Sequence, residues 1–371
     1  MKIRRLLLTG ATFATLFSLT SCGDRNVVVT FHNGENDEAL TIKATNDSKE
    51  VANAIRAMHY TAYLNKEKTI DLTKGKISLN TSVLAKEKED YYAKANVVLQ
   101  YDLPKADSVT TIEDLANGIK LYASVDAEAK LPNDVNFIKG LPLTQGKLNA
   151  SLYSDDTKLY VGAKGNATLR GITTNTDVKG FLNKNQIINT ILSSDTVGST
   201  IQLNMANYAN VYNELRTYNF YNIICEQTQA EEQSSTGINY VDLDQFIHTI
   251  TEDDEVGLEE VVKQLGVEIS DAKNGKITFT ADFEKIAQLS GVKIDNASGK
   301  LAATVDADTI SVSNVHFELN YKADTTNTTN LLKECSLNFD MSFEYGVDVP
   351  EISNKEEYTL DLVTYINGLL K

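Results

Sequence analysis

Side chains able to do chemistry are few in this chain and widely spread. Its 371 residues include three cysteines, four histidines and no tryptophan. His32, His59, His248 and His316 show no metal-ligand spacing. Acidic residues gather at Glu231-Glu232 and at Glu252-Asp253-Asp254-Glu255. Paired carboxylates can cleave glycosides when they face each other across a sugar. Sequence neighbours in a loop or at a helix start read instead as a solvated face. Gly257 follows the second cluster, but the odd-position ladder and closing Glu of a calcium loop are absent. There is no Gly-x-Ser-x-Gly elbow, phosphate loop, dinucleotide fingerprint or His-Glu-x-x-His motif. The chain is therefore read as a non-enzyme, with no catalytic residue, no metal and no cofactor.

One cysteine stands where a different chemistry is expected. Lys2, Arg4 and Arg5 form a positive start, Leu6 to Leu19 is mostly apolar, and Leu19-Thr20-Ser21-Cys22 follows. That order is the pattern of a secretory signal, and the apolar stretch is shorter than the ~20 residues of a comfortable membrane span. The Leu-Thr-Ser-Cys run resembles the lipobox of bacterial lipoproteins. The resemblance implies that the Cys22 thiol receives a diacylglycerol and that the chain is cut just before it. Residues 1–21 would be lost, and several acyl chains anchor a protein stably. The expected location is the cell membrane or envelope, lipid-anchored, with the body outside the cytoplasm.

Charge narrows the partners. There are 35 Lys and Arg against 51 Asp and Glu, a net charge of -16. Losing Lys2, Arg4 and Arg5 with the signal moves it to -19. Nucleic-acid binding needs basic patches and is not expected. An anionic leaflet attracts basic segments, so the lipid must hold this acidic body at the membrane. Cys225 and Cys335 remain; they are read either as a disulfide pair or as buried free thiols.

The elements that carry the body show a period of two. Alternating apolar residues run through Ala93–Tyr101, Leu121–Leu131, Leu148–Leu152, Leu159–Ala163, Ile277–Phe283, Leu301–Ala307, Val315–Tyr321 and Leu337–Tyr345. Alternation puts one apolar and one wet face on each strand, the antiparallel case. Asn274-Gly275, Asp306-Ala307-Asp308 and Ser154-Asp155-Asp156 supply turns. Pro104 and Pro132 sit at strand ends. Helices are expected from Ser48 to about Tyr63, with Ser48 as cap, and over Asn183–Leu192, Asp242–Ile250, Asp253–Leu265, Phe283–Leu289 and Tyr358–Leu370.

The fold expectation is α+β, mainly antiparallel β: a curved sheet or half-barrel with packed helices. After residues 22–47, a lipidated N-terminus with the first strands, residues 48–371 read as one continuous β-rich body. Two related sheet portions, 48–182 and 267–371, would flank a helical middle, 183–266. Gly75-Lys76, Gly146-Lys147, Gly275-Lys276 and Gly299-Lys300 each precede an alternating run. Internal duplication and convergent hairpin chemistry both account for them.

The anchored cysteine, the following helix, the runs Lys300–Tyr321 and Leu337–Tyr345, and the ending Tyr345-Gly346-Val347-Asp348-Val349-Pro350-Glu351-Ile352 resemble lipoproteins of the lipoprotein-carrier (localisation-factor A-like) half-barrel superfamily. The resemblance implies a curved sheet closed by helices around an apolar cavity for acyl chains. It transfers no catalytic residue, and the chain departs from it in its long middle and in the apolar segment through Leu370. Expected lining residues are Val125, Leu301, Val305, Phe317, Phe339 and Phe343, which fit plain core equally well. The expected function is a membrane-anchored lipoprotein binding an apolar or amphipathic ligand, a lipid among the candidates. The alternative is a structural or adhesive surface lipoprotein that binds macromolecules without a ligand cavity. The tyrosine-rich cluster Tyr208, Tyr212, Tyr218, Phe220 and Tyr221 serves either a groove or ordinary packing.

Overall fold

The alternating runs are strands, and they pair antiparallel. The computed structural model describes residues 27–32, 36–65, 67–86, 90–131, 136–138, 141–169, 171–187, 207–221, 240–251, 256–289, 296–323 and 333–369. Cys22, Cys225, Pro132, and the acidic clusters at 231–232 and 252–255 lie outside them, as does much of the expected Asn183–Leu192 helix. In chain order the strands are β1 (Val27–His32), β2 (Asp37–Ile42), β3 (Lys74–Lys86), β4 (Asp90–Asp102), β5 (Lys120–Lys130), β6 (Asn136–Ile138), β7 (Leu141–Ser154) and β8 (Lys158–Leu169). They continue with β9 (Ile172–Asn183), β10 (Glu268–Lys273), β11 (Lys276–Asp282), β12 (Ala297–Asp306), β13 (Val312–Lys322), β14 (Glu334–Tyr345) and β15 (Leu360–Asp361). The helices are α1 (Ser48–Leu64), α2 (Ile112–Gly118), α3 (Tyr208–Arg216), α4 (Leu243–Thr251), α5 (Leu258–Leu265), α6 (Phe283–Leu289) and α7 (Leu362–Leu369).

The fold is thus α+β and mainly antiparallel β, divided into two units. The first draws on residues up to Thr69 and on Asn219–Ser342; the second on Ile70–Tyr218 and Phe343–Lys371. These boundaries differ from the 48–182, 183–266 and 267–371 division. α3 belongs to the second unit, while α4 and α5 belong to the first. The tyrosine-rich cluster is split as well: Tyr208, Tyr212 and Tyr218 fall in one unit, Phe220 and Tyr221 in the other.

In the first unit, β10-β11-β12-β13-β14 form an antiparallel sheet and β1-β2 a separate hairpin. The tight β10–β11 turn follows its sequence signal. Asn274 and Gly275 have φ of 55° and 72°, and Lys273 pairs with Lys276 across them. Two positive φ values define the turn whose twist matches a hairpin. Helix α1 is capped by Asp47 rather than Ser48: its carboxylate accepts from the N–H groups of Lys49 (2.9 Å) and Glu50 (3.0 Å). Val51, Ala54, Ile55 and Met58 are buried, as their spacing predicts. They join Leu258, Val262, Ile277, Phe279 and Val305 in a well-sealed core. Arg56 donates to both carboxylate oxygens of Asp244, Nε at 2.7 Å and Nη2 at 2.9 Å, tying α1 to α4. Asp244 Oδ1 also accepts from the Leu258 N–H that opens α5.

In the second unit the strand order is β3-β4-β5-β7-β8-β9-β15, with β6 on β7 and the end of β14 beside β3. Among the described residues these strands pair antiparallel, except β9 with β15, which is parallel. Strands β3 and β9 were not marked by alternation. β3 mixes Ser, Asn and Thr with its aliphatic residues, and β9 opens on Ile-Thr-Thr-Asn-Thr-Asp. The Gly-Lys pairs occupy unlike places: inside β3, β7 and β12, and in the β10–β11 turn.

Candidate functional site

Register sorts the second unit's side chains onto two faces of very different chemistry. One cross-strand row runs Leu79–Val97–Val125–Ala150–Ala163–Val178, from β3 to β9. The parallel row on one side of it starts at Ile77; the two on the other side start at Thr81 and Val83. These four rows across six strands contain no charged side chain, and only threonines interrupt the aliphatic, Ala and Gly positions. Residues i, i+2 and i+4 share a face, so the pattern is fixed by register rather than by chance exposure.

This face is not sealed. Val125 and its row neighbours are half-buried, whereas Ile277, Phe279 and Val305 of the first unit are at most 1% exposed. Val83 and Leu148 are exposed outright, at 39% and 45%. Tyr160 and Tyr212 are the only apolar side chains of the second unit, among the described residues, that count as buried.

The opposite face is polar and strapped. A row of aromatic residues crosses it, with Tyr122 and Tyr153 rings 4.8 Å apart, then Tyr160 and Phe181. Residues 346–361 run over this side. The Asp348 carboxylate meets the Lys74 ammonium at 2.7 Å, and its carbonyl accepts from Gln100 Nε2 at 3.3 Å. Lys355 Nζ reaches Asp155 at 2.9 Å, Glu357 pairs with Lys179, and Tyr358 meets the Tyr160 ring edge-on at 5.6 Å. Leu360 then pairs with Gly180. Gly162 leaves room for this crossing; a Cβ there would stand 3.0 Å from Ser151 Oγ and 3.4 Å from Tyr358 Oη. Burial opposes ionisation of Asp155, but the N–H groups of Thr157 and Lys158, the Lys355 ammonium and the Tyr160 hydroxyl outweigh it. They hold its carboxyl below the usual range. Farther along, Glu128 accepts from Tyr92 and meets Lys147 and Lys94, which brings its pKa down to about 2.

The expected lining residues separate into two groups. Val125 lies in the middle of the charge-free face, and Phe343 on the part of β14 that belongs to the second unit. Leu301, Phe317 and Phe339 form one cross-strand row in the first unit, with Val305 on the same face of β12. Val305 is fully buried there, and the Phe283 ring of α6 packs edge-on against Phe317 at 5.2 Å. Leu301, Phe317 and Phe339 are half-buried.

The histidines take dissimilar roles. His32 and His316 sit beside Asp37 (2.8 Å) and Asp340 (3.2 Å). His59 is buried between Tyr221 and Tyr240, with neither ring nitrogen hydrogen-bonded, and burial lowers its pKa to about 3. Among the described residues no group of three His, Cys, Asp or Glu side chains could hold a metal ion. No helix among them is long and apolar enough to cross a membrane. Cys335, near the start of β14, pairs in register with Tyr321 and is half-buried. No known family model matches the chain, and no curated protein is significantly similar to it.

Proposed function

We propose that this chain is a lipid-anchored, extracytoplasmic lipoprotein that holds an apolar or amphipathic ligand against the charge-free sheet face of its second unit. The observation that carries the reading is that face: four rows over six strands, without a charge and mostly half-buried rather than sealed. With strands ~4.8 Å apart and rows ~6.8 Å apart, it spans roughly 500 Å². That footprint lies within the ~300–600 Å² of the largest apolar patch on an ordinary monomer, a patch that is often functional. Ala and Gly fill many of its positions, so an acyl chain would lie close to the backbone. The Leu19-Thr20-Ser21-Cys22 run supports the anchor, with Cys22 as the lipidated residue.

Mass spectrometry of organic extracts tests the ligand. A lipid-free chain beginning after Cys22 is purified from membranes-containing lysate and extracted. A lipid at near-stoichiometric yield supports the reading; a clean extract sinks it. Cys22→Ala tests the anchor separately, since the body should then leave the membrane fraction. The structural or adhesive reading is favoured by a surface aromatic group in the first unit. There Tyr60, Tyr63 and Tyr240 stand 5.4–6.1 Å apart, and His32 stacks on Tyr60 at 4.7 Å.

A further inference from the structure

Lysine seldom leaves water without a counter-charge. Lys184, just past the end of β9, does so: it is 5% exposed. Its Nζ donates to two neutral carbonyls, those of Asn117 (3.1 Å) and Ile119 (3.0 Å) at the end of α2. Among the described residues no carboxylate pairs with it. An ammonium has three protons to give, so one is left over. Burial pulls the pKa of Lys184 down, and the charges of Asp155 and Asp156 offset only part of that. The Asp155 carboxylate is committed elsewhere, to Tyr160 and Lys355 of the strapped face.

Register places this ammonium at one end of the charge-free face. Beyond the row that starts at Ile77, the next runs Gly75–Tyr101–Leu121 in β3 to β5 and Ser154–Leu159–Leu182 in β7 to β9. Ser154 Oγ donates to the Ile119 carbonyl at 2.9 Å, the same oxygen that Lys184 meets. The Lys184 N–H bonds the Thr157 carbonyl at 2.9 Å, carrying the β8–β9 ladder one step past Asn183. Residues i and i+2 share a side of a strand, so Lys184 follows Val178, Gly180 and Leu182. Ile119, Leu121, Ser154, Leu159 and Leu182 are half-buried like the rest of the face, so the approach to the ammonium is not sealed. Asn117 adds a buried Oδ1 without a partner, an acceptor for a hydroxyl.

We propose that Lys184 receives the anionic head group of an amphiphile whose tail lies on the charge-free face. This rests on the ligand reading above and narrows it to a lipid that bears a carboxylate or a phosphate. An anion supplies the missing counter-charge and takes the remaining N–H, in a charge-assisted bond stronger than a neutral one. Tail and head then meet adjoining surfaces of different chemistry, a broad apolar lining and a few placed polar groups. A neutral or cationic amphiphile leaves the ammonium unpaired. The net charge of -16 repels an anion at long range, but salt screens that repulsion over ~8 Å, whereas head group and ammonium meet at contact.

The test titrates the lipid-free chain, which keeps every described residue, with dodecanoate, dodecyl phosphate and dodecanol in a calorimeter. At least one anion should bind about tenfold or more tighter than the alcohol. Which anion binds better tells a fatty acid from a phosphate-bearing lipid. Lys184→Met keeps an unbranched side chain without its charge. It should bring the anions down to the affinity of the alcohol and leave the alcohol unchanged. Hydrogen exchange of the parent decides the matter even if that variant fails to fold: the anions, and not the alcohol, should slow exchange at 117–120 and 184–185. Equal affinity for all three amphiphiles overturns the head-group site and leaves the apolar-face reading standing. Binding of none of them overturns both. A preference for anions that survives in folded Lys184→Met, or protection confined to other segments, places the head group at another cation and overturns the proposal.

Discussion

Asp306 ends β12 in the first unit and is only 1% exposed, so replacing it should reshape the pH dependence of stability. Its Oδ1 accepts the Asp308 N–H at 2.8 Å, while Oδ2 is buried without a partner. Burial pushes its pKa up to about 6. The Asp308 N–H, Lys276 and Lys68 partly offset that, while the charge of Asp308 adds to it. An unfolded aspartate titrates near 3.9. The folded state therefore binds this proton more tightly, and the sign follows. The contribution is fully present below about pH 4, declines as pH rises through 4 to 6, and stays lost above. Two pKa units at 1.36 kcal/mol each amount to about 3 kcal/mol. Asp306→Asn keeps the acceptor for the Asp308 N–H and cannot ionise. Relative to the parent, it should gain about 2 kcal/mol between pH 4.5 and pH 7.5. Urea unfolding of the lipid-free chain at four pH values measures this. Other carboxylates titrate alike in both proteins and cancel in the difference. A difference that does not change with pH refutes the argument.

Four further outcomes are expected. His59→Phe fills the same space without a protonatable ring. His59 is held neutral, so its contribution is present above pH 6.5 and lost as pH falls toward about 3; the variant should flatten that acid-side loss in unfolding titrations. Phe279→Ala in the sealed core should cost about 3–5 kcal/mol, and Val125→Ala on the open face about 1 or less, by urea midpoint. Arg56→Ala strips Asp244 of a two-pronged partner and should cost about 1–3 kcal/mol, reported by chemical unfolding. Val125→Asp should lower the yield of co-extracted lipid at least several-fold with a near-native thermal midpoint; an unchanged yield would detach the ligand from this face.

Strand existence was legible because alternation is a local property. The run Leu121–Leu131 announces an amphipathic strand whatever its neighbours, and β5 spans Lys120–Lys130. Turn chemistry was legible for the same reason at Asn274-Gly275. Cap identity was not: Asp47 and Ser48 are both good capping residues, and only backbone geometry decides that Asp47 stands outside the first turn. β9 was hidden because threonine on both faces carries no period-two signal. Such a strand is recognised by its partner β8 rather than by its own pattern.

The site shows where local reading stops. Val125 and Val305 look alike in sequence, each an aliphatic residue in an alternating strand. Val305 pairs with Ile277 of β11, sits on the face that α6 packs against, and is fully buried. Val125 lies between Val97 and Ala150 and is only half-buried. What separates them is the element on top, which is a property of tertiary packing and has no period to read. The absence of charge from the rows around Val125 is different. It follows from alternation once register is known, and each strand independently places its lysines and acids on the other side. Register errors of one residue would put Lys94, Asp126, Glu128 and Lys147 among those rows. That six strands keep their charges on one side agrees with the partial burial of the other, where an unpaired charge would be costly. A ligand held there, as proposed, would penalise charge on the same side.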